Sequence, residues 1–158
     1  GGSMVELAWM DQPAQYMLPP ARFEAGTQPV AQVVAAGVAA EWMMSIGMDQ
    51  LEAHERKLTG ELLKMGDIEG IRILGPRENA DRIGTVAFDI NGVHPHDVGQ
   101  FIDAQGIAIR VGHHCAQPVH RHFGLYASNR ASCGVYNNVE DIHALLDALG
   151  KVRAFFGA

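Results

Sequence analysis

Cys115 lies in a short polar segment whose neighbours suit an activated thiol. His113 and His114 directly precede it, and Arg110 lies slightly upstream in a short apolar run. Sulfur attacks as the thiolate, and cationic neighbours lower the pKa of a free thiol from about 8.5. We therefore interpret Cys115 as a reactive cysteine on a loop, with His113 or His114 as its base or proton donor. The alternative is a buried structural cysteine, which the polar neighbours and Pro118 disfavour.

The same segment raises the question of a metal site, because His120 and His122 follow closely. Protein zinc sites usually combine spaced pairs of cysteines or histidines. The segment has no such cysteine pair, and two adjacent histidines cannot easily bind one ion together with Cys115. We therefore expect thiol chemistry and no metal, with one histidine of the adjacent pair acting on the thiol and the other holding the loop by hydrogen bonds.

Two other places have the residue types that bind anions. Arg130 begins a predicted strand, and arginine suits bidentate binding of a carboxylate; the alternative is a solvated surface arginine, and Arg110 has the same two interpretations. Gly26 and Thr27 precede a predicted helix, whose first N–H groups and dipole attract anions. The alternative there is plain capping of the helix by Thr27, and the residues alone leave both interpretations open.

Composition indicates an ordinary folded protein. With 158 residues, of which 47% are hydrophobic and 19% charged, the chain predicts one domain with a sizeable core. The formal net charge of −6 disfavours nucleic acid and anionic membranes as partners. Only two cysteines are present, which favours a reducing cytoplasm over a disulfide scaffold; Cys133 is interpreted as structural. We recognise no signal peptide, and the apolar run at 30–40 is too short to span a bilayer.

Hydrophobic periodicity and turn residues predict short strands interleaved with helices. The strands are predicted at 5–9, 71–74, 83–90, 107–111 and 130–136. The helices are predicted at 30–46, 48–65, 94–105 and 139–156. The first helix is rich in alanine and is expected to be mostly buried. Because the strands are short and do not alternate regularly with helices, we predict an α+β fold: a small, mostly antiparallel sheet with helices packed on it.

An irregular arm is predicted between residues 11 and 23, where prolines are frequent and periodicity is weak. Isolated domains seldom open with so long a segment without regular structure. The arm is either a floppy terminus or a connector that wraps another domain or subunit.

Four motifs, in this order, resemble those of the Suf-type (group II) cysteine desulfurases and selenocysteine lyases, which have the class V aminotransferase fold. They are the glycine-rich strand start at 1–5, the loop at 22–27, the cysteine segment at 110–116 with Pro118, and the strand at 130–132 with Tyr136 and Asn137. The similarity runs along essentially the whole chain. Four motifs in order are far more specific than any one of them.

The resemblance implies the last part of a pyridoxal-phosphate enzyme of the aspartate-aminotransferase-like fold (fold type I). Residues 1–28 correspond to a remnant of the large domain with a dimer-crossing loop, 29–47 to a connecting helix, and 48–158 to the small C-terminal domain. The cofactor lysine of such enzymes lies upstream of Gly1 in this comparison. None of the three lysines, Lys57, Lys64 and Lys151, matches its motif, so the chain alone is expected to be inactive.

The resemblance also implies roles for the candidate residues. Cys115 takes sulfur from L-cysteine (or selenium from selenocysteine) as a persulfide and releases alanine, while His114 or His113 activates the thiol. Arg130 holds the substrate carboxylate, and Arg110 stabilises the cysteine loop or an anion beside it.

Gly26 and Thr27 reach the cofactor phosphate of a neighbouring subunit, which implies a homodimer. A sulfur-acceptor protein of iron–sulfur cluster assembly is the implied partner. Two alternatives stay open: another fold-type-I pyridoxal-phosphate enzyme, such as an epimerase- or aminotransferase-like relative, and a non-catalytic sulfur-relay module.

Overall fold

A computed structural model describes residues 2–79 and 82–158, in two units, Gly1–Gly47 and Met48–Ala158. In the first unit, strand β1 (Val5–Leu7) pairs antiparallel with strand β2 (Gln15–Tyr16), and a 3-10 turn follows at Ala21–Phe23. The prediction of a wholly irregular arm is therefore wrong. Strand β2 has only two residues and its pairing with β1 is irregular, so it leaves no periodic pattern in the sequence; the Gln15 side chain also donates to the Glu6 carboxylate (2.9 Å).

The first helix, α1 (Val30–Ile46), has the predicted bounds and ends at Gly47, whose φ of 100° favours glycine. It differs from the prediction in two ways. Pro29 is its N-cap residue and no side chain caps it, because a tight turn from the Val30 N–H to the Gln28 carbonyl (2.8 Å) separates Thr27 from the helix. Its side chains are exposed rather than buried, because hydropathy predicts burial only where another surface covers the helix.

The second unit has an antiparallel four-stranded sheet, so the α+β prediction is confirmed. Its helices are α2 (Met48–Leu63), α3 (Pro95–Asp103), α4 (Gln117–His122) and α5 (Val139–Phe156). Its strands are β3 (Ile71–Leu74), β4 (Thr85–Ile90), β5 (Arg110–Gly112) and β6 (Ser128–Ser132), and a 3-10 turn at Lys64–Asp67 follows α2. The strand order is β3-β4-β6-β5. No single helix in the described ranges is long and apolar enough to cross a membrane.

The two faces of the sheet have different side chains and different surroundings, because successive side chains of a strand point to opposite sides. One face packs against α2, α3 and α5 and forms the core. Its buried side chains include Val86, Phe88 and Ile90 of the sheet and Leu58, Val98, Ile102 and Leu149 of the helices. On the other face, the register aligns Leu74, Ala87, Arg130 and Arg110 across all four strands. This second face carries the candidate site.

Two predicted strand boundaries near the site are wrong, and one helix there was not predicted. Strand β5 is shorter and later than predicted, because Ile107 and Ile109 pack against the core without joining the ladder. Strand β6 starts earlier, since Ser128 and Asn129 pair with β5. No helix is predicted at 117–122, because Pro118 and the nearby histidines are typical of a loop. Pro118 instead lies in the first turn of helix α4, where proline is favoured.

The capping box of α5 gives a test of the fold. The Asn138 side chain accepts from the Asp141 N–H (2.9 Å), and the Asp141 carboxylate accepts from the Asn138 N–H (3.1 Å). We expect Asn138→Ala to lower the free energy of unfolding by about 1 kcal/mol, measured by urea denaturation. The matched variant Asn138→Ser keeps a capping oxygen and should stay close to the parent. Equal stability of the alanine variant and the parent would contradict this assignment.

Candidate active site

The cysteine loop connects β5 to α4 and has an unusual backbone. His114 and Cys115 both have positive φ, 54° and 59°, and the Ala116 N–H donates to the His113 carbonyl (2.8 Å) to close the turn. The left-handed conformation costs a residue other than glycine about 1–2 kcal/mol. Two such residues in succession persist only where their surroundings hold them. The loop is therefore fixed by the contacts of its neighbours.

The thiol of Cys115 is exposed, which excludes the buried alternative in this structure. Its sulfur lies 3.7 Å from Nη2 of Arg110, which donates to it. An open cavity of about 490 Å³ surrounds the pair. The cavity is lined by Arg110, Val111, His113, His114, Cys115, Gln117 and Pro118. A guanidinium in this position stabilises negative charge on the sulfur.

His114 is neutral at physiological pH. Partial burial, together with the nearby Arg130, His120 and Arg110, lowers its pKa to about 4. Its Nε2 lies 3.1 Å from the hydroxyl of Ser128, and its Nδ1 is buried without a hydrogen-bond partner among the described residues. His114 is thus held through one ring nitrogen, and the other keeps its bonding capacity.

His113 makes different contacts. Its ring packs edge-on against Tyr126, with centroids 4.7 Å apart, and both residues line a small cavity with Arg121. Aromatic packing of this kind orients a ring without using its nitrogens. Of the two predicted histidines, His114 therefore has the hydrogen-bonded geometry, and His113 has the packing role.

Arg110 and Arg130 lie directly opposite each other on β5 and β6. Like charges in such positions repel. In the described ranges, neither arginine forms an ion pair with a carboxylate, and Nε of Arg130 is buried without a partner. Arg130 is half-buried, whereas Arg110 is exposed, so the solvated-arginine interpretation fits only Arg110. The pair forms a patch of positive charge suited to an anion.

A second cavity, of about 250 Å³, lies over the same face of the sheet. Its walls are mainly apolar, and its polar groups are His114, His120, Ser128 and Arg130. His114 lines both this cavity and the one that contains Cys115. The sheet register thus brings together four predicted site residues: Cys115, His114, Arg110 and Arg130.

Gly26 and Thr27 lie in the loop before helix α1, which begins at Val30 with Pro29 as its N-cap residue. The Gly26 N–H donates to the Gly2 carbonyl (2.7 Å), and the side chain of Thr27 is exposed. The two residues belong to the first unit, and a role toward a cofactor stays a prediction.

The sequence does not predict that Ser128 and His120 lie buried behind the loop, where they are 0% and 4% exposed. No spacing rule marks them, because they meet only through the β5–β6 pairing and α4. Cys133 has the structural role predicted for it. Its thiol donates to the Gly84 carbonyl (3.4 Å), and its pKa is raised by burial and by the nearby Glu55 carboxylate.

Comparisons with known proteins give consistent matches. The family model for aminotransferase class-V matches residues 1–145. A probable cysteine desulfurase 2 of Mycobacterium leprae is 45% identical over 99% of this chain, and a probable cysteine desulfurase of Streptomyces coelicolor is 46% identical over the same share. The chain spans 38% of the length of each of these relatives.

Two solved structures resemble the chain in fold. The apo cysteine desulfurase of Thermococcus onnurineus aligns with a TM-score of 0.78 and 33% identity, over 96% of this chain and 38% of the other. The cysteine desulfurase CsdA of Escherichia coli, in an S-sulfonic acid form, aligns with a TM-score of 0.76 and 31% identity, over 98% and 38%.

The environment of His114 gives a pH prediction. Because its pKa is lowered to about 4, we expect its ring signals in a histidine NMR titration to move near that pH rather than near the ordinary value of about 6.5. Arg130→Gln removes a neighbouring positive charge and should raise the midpoint, whereas Arg56→Gln, on the exposed side of α2, should leave it unchanged. A midpoint near 6.5 in the parent chain would contradict this description.

The same lowered pKa predicts the direction of a stability change. Between the folded value of about 4 and the unfolded value of about 6.5, the unfolded chain binds the extra proton. The contribution of His114 to stability is therefore present above pH of about 6.5 and is lost as the pH falls toward 4. The free energy of unfolding of His114→Gln should depend less on pH in this window than that of the parent; identical pH dependence would contradict the prediction.

Proposed function

The chain belongs to the aminotransferase class-V family, as its motifs predict, and we propose that it forms part of a cysteine desulfurase. In this proposal Cys115 accepts sulfur from L-cysteine as a persulfide, and alanine is released. The observation that supports it best is the exposed thiol beside Arg110, on a loop next to a second arginine that lacks a carboxylate partner. Relatives and structural neighbours named as cysteine desulfurases agree with it.

Arg130 binds the substrate carboxylate in this reaction. Its side chain is half-buried and lines the apolar-walled cavity, and its Nε has no partner among the described residues. A carboxylate there would satisfy the guanidinium and reduce its repulsion with Arg110. Fixing the substrate by its carboxylate orients the sulfur, which is the main gain that such a contact gives to a reaction.

The sulfur step balances without an added oxidant. The Cys115 thiolate attacks the sulfur of the substrate, so that an S–S bond forms as the C–S bond of the substrate breaks. The electron pair of the broken bond stays with carbon, which takes up a proton to give alanine. Arg110, 3.7 Å from the sulfur, stabilises the anion both before the attack and after the persulfide has formed.

Enzymes of this family generally use pyridoxal phosphate, which acts as an electron sink when bound. We propose that the residues of this chain do not supply its covalent anchor. Lys57 and Lys151 lie on α2 and α5, Lys64 pairs with Glu61 (2.6 Å), and none of these lysines lines either cavity beside Cys115. In our proposal the anchoring lysine belongs to polypeptide outside these 158 residues, and the chain alone is inactive.

The remaining features of the proposal concern partners. We propose a homodimer in which the exposed loop at Gly26 and Thr27 reaches the cofactor phosphate of the neighbouring subunit. The open position of the Cys115 thiol suits delivery of its sulfur to an acceptor protein of iron–sulfur cluster assembly. The two free cysteines fit a reducing cytoplasm. Selenocysteine is the alternative substrate, since it has the same carboxylate as L-cysteine for Arg130 to bind.

The test measures sulfide and alanine release from L-cysteine by the complete polypeptide that carries this chain and a cofactor lysine. We expect Cys115→Ser to reduce sulfide release to background, because the hydroxyl does not accept sulfur. Cys133→Ser is the matched control and should keep the parent rate, since that thiol is not at the site. Full activity of Cys115→Ser would contradict the proposal.

Two further outcomes separate the alternatives. Amino-acid turnover that is indifferent to Cys115 would indicate another pyridoxal-phosphate enzyme of this fold. Uptake of sulfur on Cys115 without any cofactor would indicate a sulfur-relay module.

A second prediction concerns the carboxylate. Arg130→Lys keeps the charge but loses the bidentate geometry, and a hydrogen bond to a charged group is worth about 1.5–3 kcal/mol. We therefore expect the KM for L-cysteine to rise by about tenfold or more, because tenfold corresponds to about 1.4 kcal/mol. An unchanged KM in steady-state kinetics would show that Arg130 does not bind the substrate.

A further inference from the structure

A buried line of hydrogen bonds runs behind the cysteine loop and joins three polar side chains. His120 Nδ1 lies 3.0 Å from the Ala116 carbonyl, and His120 Nε2 lies 2.9 Å from the Ser128 hydroxyl. The same hydroxyl lies 3.1 Å from Nε2 of His114. Ser128 is 0% and His120 is 4% exposed, so water does not readily replace these contacts.

The chemistry of the line fixes where its protons are. A carbonyl only accepts, so His120 Nδ1 carries a proton and donates it to Ala116. His120 is buried with no carboxylate bonded to it in the described ranges; such surroundings favour an uncharged imidazole, in which Nε2 is an acceptor. The Ser128 hydroxyl must then donate to His120 Nε2, which leaves the serine oxygen to accept from His114.

These donor and acceptor roles determine the tautomer of His114. Because Ser128 accepts, His114 Nε2 carries the proton, and its Nδ1 holds a free lone pair. That nitrogen is the buried atom without a partner. It belongs to a residue that lines both the cavity of the thiol and the cavity of Arg130.

We propose that Ser128 and His120 are positioning residues that hold His114 as the Nε2–H tautomer, so that Nδ1 is the ring atom that accepts the proton of Cys115. This inference rests on the proposed function of Cys115. In the step, the proton leaves the thiol sulfur and binds to Nδ1, and no electron is transferred. In the other tautomer Nδ1 would carry the N–H and would have no lone pair to accept a proton.

The same bonds explain how the strained loop is held. His114 has a φ of 54°, and its ring is tied to Ser128 on β6, while His120 ties Ala116 at the far end of the loop to the same serine. One hydroxyl on the rigid sheet thus connects both sides of Cys115. Loss of this hydroxyl should affect both the tautomer and the position of the thiol.

The direct test is NMR of the 158-residue chain with ¹⁵N-labelled histidine, which distinguishes protonated from unprotonated ring nitrogens. We expect His114 with Nε2 protonated and Nδ1 unprotonated, and His120 with Nδ1 protonated. Ser128→Ala should give a mixture of His114 tautomers, and Ser128→Thr, which keeps the hydroxyl, should restore the single form. A parent chain with His114 protonated at Nδ1, or a Ser128→Ala chain with an unchanged tautomer, would overturn the proposal.

Kinetics of the complete polypeptide test the catalytic part. A positioned base contributes about 10²–10⁴-fold to rate, so Ser128→Ala should lower kcat by about tenfold or more, with KM for L-cysteine unchanged and with rescue by Ser128→Thr. Equal kcat in the parent and Ser128→Ala would overturn the assignment of Nδ1 as proton acceptor. Full activity of Cys115→Ser would instead overturn the proposed function, and the tautomer would still be decided by NMR.

Discussion

The pairing of β5 with β6 is the constraint on which the site depends. It sets Arg110 opposite Arg130 on one face of the sheet, where the described residues supply no carboxylate to either. This arrangement costs stability, because like charges across a strand pair repel. The two arginines also affect the neighbouring residues. Together with burial they lower the pKa of His114 and keep it neutral, and the guanidinium of Arg110 lies beside the exposed sulfur of Cys115. In the proposed function a substrate carboxylate relieves this repulsion, so the feature that costs stability would favour substrate binding.

The opposite face of the sheet makes this possible. Phe88, Val86 and Ile90 of the central strand β4 are almost completely buried against α2, α3 and α5, and burial of this kind is worth about 1.5–3 kcal/mol for each large side chain. That core holds the strands in register while the other face carries charge and a strained loop. The cysteine loop is in turn held by the buried hydroxyl of Ser128. Stability and chemistry are therefore divided between the two sides of one small sheet.

The sequence predicts the elements whose signal is local. Helix α5 has the predicted bounds because its apolar residues repeat with the helical period and Asn138 caps it, and the cysteine motif identifies the site because its residues are adjacent in the chain. What it does not predict depends on distant partners. Helix α1 is exposed because no other surface of the described residues covers it, which its hydropathy does not reveal. Helix α4 was not predicted, because Pro118 usually indicates a loop although proline suits the first turn of a helix. The contact between Ser128 and His120 forms only when β6 and α4 pack together.

The central claim is that Cys115 receives sulfur, and mass spectrometry of the cysteine peptides tests it most directly. The complete polypeptide, with its cofactor, is incubated with L-cysteine, and thiols are then trapped by alkylation before digestion. The account predicts one additional sulfur atom on the peptide that contains Cys115 and none on the peptide that contains Cys133. Additional sulfur on Cys133 alone, or turnover of cysteine with Cys115 left unmodified, would contradict it.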